Sequence, residues 1–213
     1  MATVCEVGSV PEAFADLVVQ RAPRSIALSG GGTATDCYRA LRARTPDWSG
    51  VEVFFGDERS VPVDHPDSNE GMARRVLLEG AIPAAIHSLA TAGTTPEAAA
   101  LAYDGLLCGY GPLDLVHLGL GPDGHTASLF PGSPALEVSD RLVIATGDDL
   151  HRHPRLTFTF PAIASARLVV FTVAGTEKRD ALAGVLAGDV ALPAARVRAG
   201  EVVFLADAAA LRA

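Results

Sequence analysis

The residues best suited to chemistry lie in a loop of unusual composition, GLGPDGHTASLFPG, which covers residues 119–132. Four glycines and two prolines surround a single histidine, His125. Imidazole titrates near neutral pH, so a histidine displayed by a rigid loop is suited to taking a proton from water. His117, by contrast, stands between Val116 and Leu118 in an apolar segment, and we predict that it is a structural residue.

A second polar cluster, GDER at residues 56–59, follows an apolar segment that is typical of a buried strand. We expect either Asp57 or Asp123 to orient the imidazole of His125 and to stabilise its protonated form. Arg59 and the backbone N–H groups of the glycine-rich loop are the candidates for stabilising an oxyanion. Taken alone, such a triplet of charges is also common in solvated loops that hold an internal ion pair.

A third cluster, SGGGT at residues 29–33, joins a predicted strand to a predicted helix. Glycine lets the backbone approach a ligand closely, and N–H groups at the start of a helix suit the oxygens of a phosphate. The run matches neither a P-loop nor a complete G-x-G-x-x-G motif, so it does not favour a nucleotide. A tight turn without a ligand is the alternative. Arg155 and Lys178 are candidates to add charge, although a cation in the first turn of a helix opposes the helix dipole.

The elements that must position these clusters alternate between strands and helices. This order predicts an α/β fold with a mostly parallel sheet flanked by helices on both faces, Rossmann-like, in a single domain over residues 1–213. The predicted strands cover residues 25–28, 51–55, 113–118, 142–145, 156–160, 168–173 and 202–205. The predicted helices cover about residues 9–21, 70–78, 95–107 and 176–186, with one more after residue 33 and a short one at the C-terminus. Because ligands bind at the carboxyl ends of parallel strands, we expect the polar loops to converge.

Composition narrows the classes of function. The formal net charge is −8 and no Lys/Arg cluster is present, which argues against nucleic-acid binding. The three cysteines form no C-x-x-C pattern, which favours a reducing cytoplasm. No apolar run approaches the roughly 18 residues of a membrane span, and no signal peptide is visible. We therefore expect a cytoplasmic protein, a monomer or a small homo-oligomer, that acts on a small molecule.

Five segments, taken together, resemble the 6-phosphogluconolactonase family from about residue 10 to residue 207. They read LSGGGT, FFGDERSVPVDHPDSN, GLGPDGHTASLFPG, RLTFTF and VAGTEKRDAL. The resemblance implies a fold shared with glucosamine-6-phosphate deaminases and ribose-5-phosphate isomerases. It also implies hydrolysis of 6-phospho-D-glucono-1,5-lactone to 6-phosphogluconate, in the oxidative pentose phosphate pathway, without a cofactor or a metal. A δ-lactone is an activated ester, so water activated by a histidine suffices to open it.

The resemblance also implies roles for individual residues. His125 is then the base, and Asp57 and Arg59 line the reacting end. The residues expected to bind the substrate are Ser29, Gly30, Gly31, Gly32, Thr33, Asn69, Gly121, Asp123, Arg155 and Lys178.

The sequence departs from the family pattern at three places. It reads GTA at residues 32–34 where the family often has Ser-Thr-Pro, which removes one hydroxyl but leaves the backbone donors. Phe55 stands where Trp is common, a change that concerns packing. The chain is also somewhat short for the family, and we expect the shortening around residues 133–155.

Other functions fit the residues less well. A deaminase of this fold typically has an Asn-Glu-Pro segment after the histidine loop, whereas this chain has LFP at 129–131 and no carboxylate until Glu137. A sugar-phosphate sensor would need a DNA-binding module, and no basic helix-turn-helix segment is visible. A serine hydrolase would need a G-x-S-x-G motif, which is absent.

A metal hydrolase is the remaining alternative, because His151 and His153 are spaced like a ligand pair. Asp148 and Asp149 lie nearby, but no third histidine or cysteine is convincingly placed by the sequence. A solvated loop is the better interpretation of this segment.

Overall fold

The centre of the fold is a seven-stranded parallel sheet. The structure is a computed structural model that describes residues 2–90, 93–147 and 152–212. Its strands are β1 (Thr3–Glu6), β2 (Ser25–Leu28), β3 (Glu52–Phe55), β4 (Asp57–Arg59), β5 (Ala85–Ile86), β6 (Leu115–Gly119), β7 (Val143–Thr146), β8 (Arg155–Phe158), β9 (Leu168–Val173) and β10 (Glu201–Ala206). The parallel sheet has the order β1-β10-β9-β6-β2-β3-β5. A smaller antiparallel sheet has the order β4-β8-β7.

Helices flank the parallel sheet, as predicted. They are α1 (Val10–Arg21), α2 (Gly32–Ala43), α3 (Asn69–Val76), α4 (Pro96–Tyr110), α5 (Phe160–Ser165), α6 (Arg179–Leu186) and α7 (Ala208–Leu211). Every residue of β2 and β9 is buried. Such fully buried strands read as continuous apolar runs because both faces of the sheet are covered. Most of the buried apolar side chains among the described residues belong to one hydrophobic cluster, and the single domain over residues 1–213 stays a prediction.

Most predicted elements are present, and the differences have local causes. The GDER cluster, predicted as a loop, forms strand β4, since its backbone pairs with β8 despite its polar side chains. The strand predicted to end at residue 160 stops at Phe158, because Thr159 caps helix α5 and accepts a hydrogen bond from the N–H of Ala162. The short strands β1 and β5 were not predicted. Both lie at the edges of the parallel sheet, where few apolar residues are needed.

Within the described residues, no helix combines the length and the apolar character needed to cross a bilayer.

Candidate active site

The polar clusters converge on one pocket at the carboxyl ends of β2, β3, β6 and β9. Its volume is about 200 Å³. The pocket is lined by every residue predicted for the site except Asp123, namely Ser29, Gly30, Gly31, Gly32, Thr33, Asp57, Arg59, Asn69, Gly121, His125, Arg155 and Lys178. Asp123 lies directly behind the pocket, in contact with His125.

A second cavity is larger, at about 590 Å³, and lies beside Phe130 between Glu97, Arg141 and strand β7. It contains none of the predicted site residues. We assign the site to the smaller pocket, because convergent charged groups and the start of a helix matter more for binding a small anion than volume does.

His125 forms a close pair with Asp123. The distance from His125 Nδ1 to Asp123 Oδ1 is 2.5 Å, and the backbone N–H of His125 donates to the same oxygen at 3.2 Å. A carboxylate only accepts, so the ring donates its Nδ1–H and, when neutral, carries its lone pair on Nε2. Partial burial raises the pKa of Asp123, whereas the hydrogen bonds from His125 lower it. The lowering effects together are larger, so the pKa of Asp123 lies below its ordinary value. The sequence left Asp57 and Asp123 open as partners, and the structure brings Asp123 to the imidazole.

Glycines hold the histidine loop in this shape. The N–H of Gly121 donates to the carbonyl of His125 at 2.8 Å, and Gly124 has a φ of 81°. A Cβ atom on Gly121 would lie 2.0 Å from His125 Nδ1, so any side chain at this position would displace the imidazole. The phenyl ring of Phe130 packs against the imidazole with the ring centroids 4.5 Å apart.

A hydrogen-bonded network holds Arg59 and Asp57 on the opposite wall. Arg59 Nη1 donates to Asn69 Oδ1 at 2.7 Å. Asn69 Nδ2 donates to the carbonyl and to the carboxylate of Asp57, at 2.9 and 3.2 Å. Ser128, from the histidine loop, donates its hydroxyl to Asp57 Oδ2 at 2.8 Å. Asp57 therefore links Asn69 to the histidine loop by hydrogen bonds from both, and this link was not predicted.

Two arginines carry donors that the described residues do not satisfy. The Nε atoms of Arg59 and Arg155 are buried and have no hydrogen-bond partner in the described parts of the chain. Arg155 Nη1 lies 4.0 Å from Asp57 Oδ2. Burial lowers the pKa of Arg155, which the carboxylate of Asp57 partly offsets, yet a guanidinium stays charged in proteins. These donors need an acceptor from outside the described residues, which is either water or an anion.

Glu58 was not predicted to position the site. Its side chain is fully buried, and it accepts hydrogen bonds from the backbone N–H groups of Arg59, Asn69 and Glu70 and from the hydroxyl of Ser68. Burial raises the pKa of Glu58, and these donors oppose the rise. The carboxylate thereby anchors the start of α3 and places Asn69 against Arg59. Apart from the contact with Arg59, the contacts span 10 to 12 positions in sequence, so no local pattern indicates them.

The glycine-rich cluster presents the start of helix α2 to the pocket. Gly31 stands at the N-cap of α2 with a φ of 96°. Because glycine has no side chain, no capping side chain accepts from the first N–H groups of the helix. A Cβ atom on Gly30 would lie 1.9 Å from Asn69 Oδ1, so only glycine lets the SGGGT turn and the Asn69 side chain approach this closely. The start of α2 therefore has backbone donors of the kind that bind phosphate, and phosphate binding at this cradle stays a prediction.

A buried network supports the cradle from below. The N–H of Ser29 donates to the hydroxyl of Tyr38 at 2.6 Å, and this hydroxyl lies 2.9 Å from His117 Nδ1. His117 Nε2 lies 2.8 Å from the hydroxyl of Thr172, a residue that lines the pocket. Burial lowers the pKa of His117 to about 3. The prediction that His117 is structural is confirmed.

Lys178 lies at the far end of the pocket, after strand β9. It ends a 3₁₀ turn, Thr176–Lys178, and precedes α6 rather than lying in its first turn as predicted. Lys178, Arg59 and Arg155 line the pocket with Asp57 as the single carboxylate among the described lining residues. The pocket is therefore positive, although the chain as a whole is acidic.

Fold and pocket together define a Rossmann-like α/β protein with a positively charged pocket beside a histidine–carboxylate pair. Residues 7–205 match the family described as glucosamine-6-phosphate isomerases/6-phosphogluconolactonase, and the chain belongs to that family. The resemblance drawn from the motifs is thus confirmed.

Individual relatives agree with this membership. A 6-phosphogluconolactonase from Synechocystis sp. is 44% identical over 97% of this chain and 89% of the relative. The crystal structure of 6-phosphogluconolactonase from Thermotoga maritima superposes with a TM-score of 0.84 at 29% identity, over 97% of this chain and 99% of that chain. The 6-phosphogluconolactonase structure from Trypanosoma brucei has a TM-score of 0.80 at 30% identity, over 99% and 97% of the two chains.

Proposed function

We propose that this protein hydrolyses 6-phospho-D-glucono-1,5-lactone to 6-phospho-D-gluconate, with water activated by His125 and without a metal. The observation that carries the proposal is the His125–Asp123 pair at the edge of a positive pocket. The names of the Synechocystis and Thermotoga relatives support the same substrate. This reaction belongs to the oxidative pentose phosphate pathway. We expect the protein to act in the cytoplasm, as a monomer or a small homo-oligomer.

The chemistry begins with His125 Nε2, which takes a proton from water while Asp123 holds Nδ1–H. The hydroxide formed adds to the carbonyl carbon of the lactone, and the negative charge moves to the carbonyl oxygen. Arg59 and the backbone N–H groups of the histidine loop are the donors for this oxyanion. The bond from the carbonyl carbon to the ring oxygen then breaks, and the ring oxygen takes the proton from the imidazolium. The products are a carboxylate, formed after ionisation, and a free hydroxyl.

The phosphate lies at the other end of the pocket. The N–H groups at the start of α2 and the ammonium of Lys178 hold its oxygens, and Arg155 adds a second charge. Asp57 accepts a hydrogen bond from Asn69 Nδ2 and lies 4.0 Å from Arg155 Nη1, so it helps to hold both side chains in place. A substrate held at both ends brings its lactone carbonyl to the imidazole.

The decisive experiment measures hydrolysis of freshly generated lactone above the spontaneous rate, with a chelator present. We expect fast turnover by the wild type and a loss of about 10³-fold in kcat for His125→Ala, the range of a lost general base. His87→Ala is the matched control, because His87 also pairs with a carboxylate, Glu52, at 2.7 Å but lies outside the pocket. Wild-type protein that is folded and does not accelerate hydrolysis would overturn the proposal. Full turnover by His125→Ala would overturn the assignment of the base.

The phosphate end is tested separately with Lys178→Ala. Removal of a charge that binds the phosphate in both the ground state and the transition state raises KM more than it lowers kcat. We expect KM to rise about tenfold, as one lost charge-assisted hydrogen bond implies. Arg179→Ala, a change in the neighbouring residue whose guanidinium bonds the carbonyl of Ala209, is the control. An unchanged KM for Lys178→Ala would show that Lys178 is a solvated surface residue that does not bind the phosphate.

A further inference from the structure

Three potential metal ligands meet in a group that does not line the pocket and lies beside Arg59, outside the groups used for hydrolysis. His65, Asp67 and His153 each offer one ligand atom, and these atoms all lie within 4.8 Å of one another. His153 Nε2 is 3.0 Å from Asp67 Oδ2, and His65 Nδ1 is 3.9 Å from the same oxygen. Ligands at about 2.0–2.2 Å from one zinc ion in a tetrahedral arrangement are separated by distances of this order.

The fold holds the ligands together although they are far apart in sequence. Strand β4 pairs with β8, and the pairing continues where the N–H of Ser60 donates to the carbonyl of Pro154 at 2.8 Å. His153 therefore lies beside the loop that follows β4. Within that loop, the N–H of Ser68 donates to the carbonyl of His65 at 3.0 Å, which closes a turn around Asp67.

We propose that His65, Asp67 and His153 bind one divalent transition-metal ion of the zinc class. Two imidazoles and one carboxylate form a donor set that suits zinc, cobalt and nickel rather than magnesium or calcium, which prefer oxygen ligands. The three side chains are 34%, 41% and 21% exposed, so an ion can enter from solvent and complete its coordination with water.

Competing contacts make the affinity moderate. The N–H of Asp67 donates to His65 Nδ1 at 3.1 Å, and an ion bound at this nitrogen replaces that hydrogen bond. Arg152 Nη1 lies 3.8 Å from Asp67 Oδ2, but its side chain is 81% exposed and is free to turn into solvent. The dissociation constant is therefore expected in the micromolar range.

The site is connected to the pocket through Arg59. Arg59 Nη1 donates to the backbone carbonyl of Asp67 at 2.7 Å, so an ion on the Asp67 side chain would stiffen the loop that orients the guanidinium. The ion touches no reacting atom in this arrangement. Because Arg59 is a proposed donor to the oxyanion, the expected effect on hydrolysis is a change of about a few-fold in kcat, and turnover continues in a chelator.

The test measures zinc binding by tag-free, chelator-treated protein in competition with a chromophoric chelator. All variants carry Cys108→Ser, because Cys108 is exposed and a thiolate would also bind zinc. We expect one ion per chain, with binding weakened at least tenfold in His65→Ala and in His153→Ala. His87→Ala is the matched control, an imidazole–carboxylate pair outside this group of ligands, and is expected to bind like the parent. Cobalt should give visible bands that disappear in His153→Ala.

Three outcomes would overturn the proposal: no transfer of zinc from the competitor, binding that survives in both histidine variants, or binding lost in His151→Ala but retained in His65→Ala. The last result would place the ion on the segment that contains His151, which lies outside the described residues. Thermal unfolding in excess chelator shows that each variant is folded. Because the readout is binding, the result does not depend on the proposed hydrolysis.

Discussion

Two histidines eight positions apart occupy opposite environments. His117 lies in the middle of β6, fully buried between Tyr38 and Thr172, and burial lowers its pKa to about 3. His125 lies in the loop that follows the same strand, with 29% of its side chain exposed and Asp123 on its Nδ1. One imidazole is kept neutral by its surroundings, and the other has a carboxylate placed to stabilise its protonated form.

The difference shows what makes a histidine chemically useful in this fold. Hydrogen bonds from neutral groups and an apolar environment turn His117 into a rigid link between the phosphate cradle and β9. A carboxylate and access to the pocket prepare His125 to accept a proton. The residue type is the same. The roles differ because His117 lies within strand β6, whereas His125 lies in the loop after the strand ends.

After His125→Ala, the largest expected effect comes from Asp123→Asn, which removes the negative charge beside His125 Nδ1. We expect kcat to fall about 100-fold, less than for a fully buried triad, because Asp123 is half exposed and solvent replaces part of its effect. Asp36→Asn, on the surface of α2, is the control and should keep full turnover. The measurement is kcat from steady-state hydrolysis above the spontaneous rate. A kcat of Asp123→Asn within twofold of wild type would show that Asp123 does not assist His125.

The next effect concerns His117 and acid. Its pKa in the folded state, about 3, lies below its ordinary value of 6.5, so protons bind the unfolded chain preferentially and stability falls as pH drops from 6.5 towards 3. Between pH 7 and pH 5 this residue alone should cost about 2 kcal/mol of unfolding free energy. Urea unfolding at the two pH values should show this loss in the wild type and a correspondingly smaller loss in His117→Gln. Equal losses would mean that His117 is not held neutral by the fold.

The smallest effect concerns the link from His117 to the cradle. Tyr38→Phe removes the hydroxyl that bonds Ser29 and His117, and should cost about 1–2 kcal/mol of stability. Tyr103→Phe removes a comparable buried hydroxyl, which bonds Phe55 and His87 away from the pocket, and should cost a similar amount. Only Tyr38→Phe should also raise KM for the phosphorylated lactone. If both variants keep the wild-type KM, the buried network supports the fold and not the cradle.

Several features of the molecule were predictable because they depend on local patterns. Apolar runs of four to six residues between turn residues indicated β2, β3, β6 and β9, and the cap at Ser9 indicated the start of α1. Glycine runs indicated a close approach to the backbone, and Gly30 and Gly121 both lie where a side chain would clash, with Asn69 and with His125. Parallel strands then required the loops after them to meet.

Other features depend on contacts between distant segments. Polar residues in β4 form a strand only because β8 lies beside them, and the role of Glu58 depends on the start of α3 reaching its carboxylate. The same pairing places His153 beside His65 and Asp67, the group proposed to bind a metal ion, and the spacing of His151 and His153 did not indicate this group.

The sequence by itself determined the α/β class and the glycine-rich turn before α2, and it predicted His125 rather than His117 for the chemistry, because periodicity, backbone freedom and neighbouring polarity are properties of short segments. Only the tertiary structure decided that Asp123 pairs with His125 while Asp57 braces Asn69 and Ser128. A carboxylate acts on whichever donor the fold brings within about 3 Å, and that distance is set by the packing of strands and loops that are far apart in the chain.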